Sequence, residues 1–499
     1  MGQPKTIINR WLLIILLAGV FLPGRAQIID FPYIDSVTYH HYVNHKWEAV
    51  VANGKIGLEN HIDYYYLRMR IGEAYYAMEK YALAIPHFKK ALEFSHQDKS
   101  ASAYLYYSYI NMGMSSRAYR LGMSFNEHLK QSLDIKPKPV ELIDVFGGYT
   151  FSNNESRNSQ ISLLRQQDDF GKQTLIGNQI YMHAGLTFHF SPSFSLYLSG
   201  SYLDIARTNR FEYRIEEQTK GVPVYANDGW IVNRFESEKV TYDQSFEGRI
   251  RQYEYYANAK IQMANGLSLN LFGNLLSINA PVIDNEKISV IKTDTLTWHP
   301  ATGEVQAYAW TKDSMVFTET DTSFVNWVAG VNLQKDFNTV TINVFGTFSQ
   351  LTESHQGQVG MSLLYYPLGS TLFYGKTELT GFFESGEIYG NEKRLIFYQM
   401  LGIKLFKNTW LEGEYMAGNL HNVNRNQGMI VYNLPEKINF IAGLNLHIFA
   451  TKHLTVSLMY NYSDKQGNYK TENMSSDTET FYSFKYQTQS IIGGIKWTF

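Results

Sequence analysis

The 499-residue chain has no cysteine, which rules out a disulfide framework, a thiolate metal site and a lipid-modified cysteine. Net charge is only −2 with histidines neutral, so the basic face usual in a nucleic-acid-binding domain is missing and no nucleic-acid partner is expected. Beyond Leu22 no apolar stretch reaches the roughly 20 residues that a membrane helix needs. A mature chain of this kind spans a membrane only as a closed barrel, because helices and closed barrels alone satisfy every backbone group in lipid. Catalytic signatures are lacking as well. There is no nucleophile elbow, no phosphate-binding loop and no helical His-Glu-x-x-His. His183 and His189 lie six apart in one extended segment, too far along it to ligate one metal. No catalytic residue, metal site or cofactor is assigned and no enzyme is expected; the enzymatic alternative is a hydrolase assembled from scattered outer-loop residues.

What is present begins with an export signal. Lys5 and Arg10 precede an apolar stretch from Trp11 to Leu22, Pro23 and Gly24 break it, and Gly24-Arg25-Ala26 offers a small-x-small cleavage site before Gln27. A membrane anchor is the competing reading, and the stretch is short for one. Residues 1–26 are therefore read as a signal peptide.

The mature chain divides by periodicity. Residues 33–133 follow a helical period and residues 140–499 a period of two, with Pro137 and Pro139 at the boundary because neither ring continues a helix. The fold class expected is α+β multidomain: a small helical repeat domain followed by an antiparallel transmembrane β-barrel of about fourteen strands. In the helical part, Gly72, Tyr75, Tyr81, Ala84, Phe88 and Ala91 fall at spacings that resemble the tetratricopeptide repeat, where small residues let two helices touch and aromatics fill the groove beside them. A second copy follows in step, with Tyr109 34 residues after Tyr75 and Ala118 34 after Ala84. Tyr106 stands where the first copy has Gly72, His96 replaces the usual closing proline, and Pro86 sits inside a helix. The resemblance implies a protein partner held by the helical array; the plain alternative is a helical spacer.

The second region alternates segment after segment. Leu267, Leu269, Leu271 and Leu275 share one parity and Ser268, Asn270 and Asn274 the other; Val340, Ile342 and Val344 oppose Thr341, Asn343 and Thr347. This is the apolar-out, polar-in pattern of a transmembrane strand. Fourteen such segments begin near Leu142, Ile180, Phe194, Tyr253, Leu267, Val325, Val340, Gln358, Thr371, Leu395, Thr409, Ile438, Leu454 and Gln487. Even-to-odd joints are tight, as at Ser191-Pro192-Ser193 and Asn265-Gly266. Odd-to-even joints are long and polar, notably 153–177, 207–250, 281–321, 422–436 and 465–481. Short periplasmic turns alternating with long outer loops are the pattern of bacterial outer-membrane barrels. A soluble β-sandwich also alternates, but it does not explain that parity of connections. The last strand carries Ile491, Gly493, Ile495, Trp497 and Phe499 on one face; it resembles the C-terminal strand by which outer-membrane proteins are recognised for barrel insertion.

Inward positions include Asp144, His183, Glu254, Lys260, Lys376, Glu378, Lys404, Glu412, Glu414 and Lys496. Both signs occur, so there is no single-charge selectivity ring, and a solvated lining is the plain reading. Glu412 and Glu414 point the same way, about 7 Å apart along a strand. They are expected to pair with Lys404 or Lys376 on neighbouring strands; the alternative is a cation site. Aromatics in the long connections (Tyr225, Trp230, Tyr242, Trp298, Trp310) are read as girdle or packing residues before sugar-stacking ones.

Helical repeats ahead of a barrel resemble, in architecture alone, the outer-membrane exporters of bacterial exopolysaccharides. The functional expectation is transport, export or surface assembly, with the helical domain docking an unknown periplasmic protein. Outer-membrane lipid and the barrel-insertion machinery are the other expected partners, and the resemblance adds polysaccharide. The alternative is a non-conducting structural or adhesive barrel acting through its large loops.

Overall fold

The computed structural model describes residues 29–96, 98–218, 222–226, 230–386, 390–473 and 478–499; the signal segment lies outside them. Two compact units divide between Ala118 and Tyr119, ahead of Pro137 and Pro139.

The first unit is helical: α1 (Phe31–Val43), α2 (Trp47–Glu59), α3 (Tyr65–Ala77), α4 (Tyr81–Phe94), α5 (Lys99–Asn111) and the start of α6 (Ser115–Met123). Local chemistry sets the ends. The Asp30 side chain accepts from the Tyr33 N–H at the start of α1, and Asp98 accepts from Ala101 N–H at 2.7 Å at the start of α5, each satisfying one of the donors a helix start leaves open. From α1 to α5 consecutive helices pack on each other, and α1 also meets α3, as α3 meets α5. Small residues permit the close approach. A Cβ on Gly72 would stand 2.6 Å from the Phe88 ring, and one on Gly54 2.5 Å from Ile71. Phe88 is fully buried and stacks on Tyr104 at 5.1 Å, 7° from parallel. Tyr75, Ala84, Ala91, Tyr109 and Ala118 are buried with it.

The second unit is a closed antiparallel barrel of fourteen strands. They are β1 (Val140–Ser152), β2 (Phe170–Ser191), β3 (Phe194–Gln218), β4 (Ser237–Gln262), β5 (Leu267–Trp298), β6 (Val305–Phe337) and β7 (Val340–Leu351). The other half is β8 (Ser354–Tyr365), β9 (Phe373–Gly386), β10 (Gly390–Phe406), β11 (Thr409–Ala417), β12 (Lys437–Phe449), β13 (Leu454–Asn473) and β14 (Thr478–Thr498). Each strand pairs with its sequence neighbours, and β1 closes the ring on β14 from Leu142 against Thr498 to Ser152 against Thr488.

Burial runs inside out. Leu271, Leu275, Val331, Val344, Leu363, Leu444 and Leu458 are exposed, whereas Asn270, Asn274, Asn332, Thr347, Gln358, Ser362 and Ser457 are buried. An apolar belt around a polar interior is the surface of a barrel standing in lipid, and the architecture is that of a Gram-negative outer-membrane protein.

Three of the long connections are not the irregular loops expected from sequence. β3 and β4 stay paired from Arg207 against Gly248 to Gln218 against Ser237, and β5 and β6 from Pro281 against Asp321 to Trp298 against Val305. β13 and β14 likewise pair to Asn473 against Thr478. Where lipid ends, both faces of a hairpin are wet and alternation loses its sign, so a polar sequence there does not separate strand from loop. The β3–β4 and β5–β6 extensions meet through Phe211, Tyr213 and Ile215 against Ile283, Met315 and Phe317. The β13 edge that pairs β12 lower in the wall pairs β2 above it, Tyr469–Glu472 against Phe170–Gln173, with Leu163, Leu175, Phe484 and Tyr486 buried beside it.

At the end carrying the short turns, the helical remainder of the unit packs on the barrel. Tyr119 stacks on His189 at 4.3 Å, and the Arg120 guanidinium donates to the Met263 carbonyl at 2.6 Å. A further helix, α7 (Glu127–Ser132), follows, capped by Asn126.

Candidate functional site

The 422–436 connection does not run over the outside. β11 ends early, at Ala417, and Gly418 takes φ +125 where a Cβ would lie 2.9 Å from the Leu395 carbonyl; only glycine turns the chain inward there. Residues 423–425 and 430–432 pair as a hairpin. Its turn places Asn426 and Gln427 at φ +50 and +58 ahead of Gly428 at +79. Asparagine and glycine suit the left-handed region; glutamine there is held by its surroundings.

Those surroundings are the lumen wall. Near its base the hairpin rests on an apolar cluster in which Leu420 and Val423 pack with Phe382, Ile396, Tyr398 and Ile438. Asn422 donates to Glu384 at 2.6 Å, and Arg394 bridges Glu384 at 3.1 Å and the His421 carbonyl at 3.0 Å. Asn424 donates to Thr347 at 3.1 Å. Arg425 lies 4.3 Å over the Tyr398 ring and 3.6 Å from Glu414. At its turn Asn258 donates to Gln427 and Asn274 donates to the Gly428 carbonyl at 3.0 Å; just past the return arm Asn433 donates to Gln252 at 2.8 Å. Val431 and Leu434 pack against Ile176, Ile250, Leu276 and Ile278. β4 and β11 stand seven strands apart in a ring of fourteen, so the hairpin crosses the full lumen and bonds to the opposite wall.

The ten inward candidates fall into separate groups. Asp144 and His183 form one, 3.0 Å apart, with the Tyr197 hydroxyl donating to Asp144 at 3.1 Å and Ser201 against the other imidazole nitrogen at 2.9 Å. Glu254 accepts from Gln252 at 2.6 Å and from Asn274 at 3.3 Å, which places it beside the hairpin. Lys260 stands on β4 opposite Asn270. Lys376 pairs with Glu378 at 2.8 Å, Lys404 lies over Trp410, and Lys496 lies over Phe146.

The lysine pairing expected for Glu412 and Glu414 is not what forms. Glu412 accepts from the Tyr374 hydroxyl at 2.6 Å and faces His447 at 3.5 Å. Glu414 accepts from Tyr398 at 2.9 Å and faces Arg425. Tyr398 on the adjacent strand β10 and Tyr374 one strand further, on β9, reach the carboxylates, and Lys376 is taken by Glu378 on its own strand. His189 sits 2.9 Å from Glu141. No group of side chains with metal-holding geometry occurs among the described residues. Of the terminal strand, Ile495, Trp497 and Phe499 face outward, and Trp497 stacks on His453.

The hairpin is the feature that sequence reading missed, although a signal for it existed. Phe272, Leu276, Phe382 and Ile396 are apolar at inward parity, breaking the alternation where the hairpin covers the wall.

No protein-family model and no curated protein matches the chain. Among solved structures it is similar to a Pseudomonas aeruginosa FadL homologue (9% identity, 81% of this chain and 94% of that chain, TM-score 0.41). It is also similar to the Pseudomonas putida toluene transporter TodX (6% identity, 74% and 91%, TM-score 0.37). A third likeness is to a bacterial polysaccharide outer membrane secretin (6% identity, 73% and 100%, TM-score 0.31). These likenesses are weak, and no residue role passes from them to this chain.

Proposed function

We propose that the chain is a gated transport barrel of the outer membrane, shut by the hairpin between β11 and β12. The helical unit, a tetratricopeptide-like array, stands in the periplasm and docks a protein partner there. The observation that carries the gate is the match between lumen width and occupant. About eight strands enclose a space that wall side chains fill by themselves; fourteen enclose a wider one. Here a single retractable connection takes up the space. A barrel needed only as an anchor has no use for such a lumen. The bonds that hold the hairpin to the opposite wall, Asn258, Asn274 and Gln252 to Gln427, Gly428 and Asn433, are ones that water replaces when it withdraws.

The test is single-channel recording in planar bilayers. The intact protein is expected to be silent or to open briefly, and a variant in which residues 420–434 are replaced by a short Gly-Ser linker to conduct steadily. A correctly inserted variant that stays silent rules the gate out. The long paired extensions of β3–β6 favour a second reading, an adhesive barrel acting through its outer arms; equal silence of both proteins together with loss of surface binding on arm deletion supports it.

A further inference from the structure

A cleft in the helical unit is not used by any contact described so far. It opens between α1 and α3, encloses about 500 Å³ and is lined by Phe31, Tyr39, Tyr42, Tyr64 and Tyr66, with Met69, Arg70, Asp35 and Glu73 among them. That size lies within the usual 300–1,000 Å³ or so of small-ligand sites. Its polar groups are already tied to one another. Arg70 bonds Asp35 at 2.8 Å, the Tyr64 hydroxyl donates to the same carboxylate at 2.7 Å, and the Tyr42 hydroxyl donates to Glu73 at 2.5 Å. Burial raises the Glu73 carboxyl above its ordinary range, which favours its neutral form.

The rim is different. Phe31, Tyr39 and Tyr66 are 52%, 55% and 64% exposed around the same opening. Three large rings left to water beside one cavity are what a ligand covers. Arg70 also lies 5.2 Å from the centroid of the Tyr39 ring and holds it in place.

The charges select the ligand. Arg70 is neutralised by Asp35, so no free cation is offered to a phosphate or a carboxylate. The cleft lies between helices and gives no strand edge to a peptide backbone. Four of its five rings are tyrosines, each pairing an apolar face with a hydroxyl, and the floor supplies fixed carboxylate and hydroxyl partners. A ligand with apolar C–H faces, many hydroxyls and no charge meets all of these. We propose that the cleft between α1 and α3 is a subsite for a neutral pyranose chain, stacked on Tyr39 and Tyr66 and hydrogen-bonded towards Asp35 and Glu73. This deepens the transport reading, since it names an uncharged saccharide as the cargo engaged before the barrel.

The experiment uses the full-length protein in detergent and three soluble probes: maltohexaose, cellohexaose and chitohexaose. Calorimetry and saturation-transfer NMR should show saturable binding of at least one of them. Tyr39→Ala and Tyr66→Ala should each weaken it tenfold or more, because stacking surface is removed. Phe94→Ala, an exposed ring on α4 outside the cleft, should leave it unchanged. Helical circular dichroism of the two tyrosine variants, expected to match the parent, separates lost binding from lost folding. Absence of binding to all three glycans overturns the proposal, as does binding indifferent to both tyrosines. Capture of an extended peptide by these same rings, in place of the sugars, overturns it in favour of a protein ligand. Conductance of the hairpin-deleted barrel is read separately, so a failed subsite and a failed gate are distinguishable.

Discussion

His87 makes the helical unit sensitive to acid. It sits on α4 with Arg68 3.4 Å away. Burial, and then the Arg68 charge, push its pKa from 6.5 down to about 4, against the opposing pull of Asp63. Between those two values the unfolded chain binds more protons than the folded one. Stability is therefore full above pH 6.5 and falls as pH drops through the window, levelling off below about 4. The loss is on the order of 3 kcal/mol across it. Pulse proteolysis of the full chain at pH 7.5 and 5 should show the helical unit opening more readily at the lower pH, with the slope reduced in His87→Gln. An unchanged slope would mean that other groups set it. Gly72 gives a second outcome at this scale. Alanine there gains about 1 kcal/mol of helix propensity, but its methyl would meet the Phe88 ring, which Tyr104 prevents from moving aside. Overpacking costs about 1–3 kcal/mol, so the methyl loses, and Gly72→Ala is expected to lower the denaturation midpoint of the helical unit while leaving the barrel's heat resistance alone.

Among the elements, the lumen hairpin is the one whose strength can be tuned. Arg425 over Tyr398 is a cation–π contact away from bulk water, of about 2 kcal/mol, with Glu414 beside it. Arg425→Ala should shift the open-to-closed ratio about thirtyfold towards open, visible as longer openings at unchanged unit conductance. A change in unit conductance instead would mean that Arg425 lines the pore rather than latching the hairpin. The wall elements were legible in the sequence, and the hairpin was not, for one physical reason. Lipid acts on every strand alike, so Leu271 and Leu275 must face out and Asn270 and Asn274 in. The destination of 422–436 depends on which wall receives it, and nothing local in Asn422, Asn424 or Gln427 specifies that wall. The inward Phe272 and Ile396 carry a local sign of it, since apolar side chains at inward parity need something in the lumen to cover them. The extensions of β3 to β6 read as loops in the sequence, because strand pairing there leaves no apolar stripe.

At the scale of the molecule, the fourteen segments, their even number and the side on which turns are short followed from periodicity and connection length together. Tags within 207–250 or 281–321 should be reachable on intact cells and a tag at Asn265 should not; the reverse pattern would invert the orientation. Trp497 faces the lipid from β14, 41% exposed. An aspartate there is expected to leave the protein uninserted and degraded, because a charge on that face is unfavourable; normal outer-membrane levels of Trp497→Asp would count against this face meeting lipid.

The double use of the β13 edge bears on the order of assembly. Its upper residues grip β2, one of the first strands made, while its lower residues hold β12 beside the last. The grip joins the same two ends of the sheet as the seam between β1 and β14. Closure is thus a final, clasp-like event, and reopening requires two seams to part together. A native state bolted in this way persists because leaving it is slow, whatever its equilibrium margin.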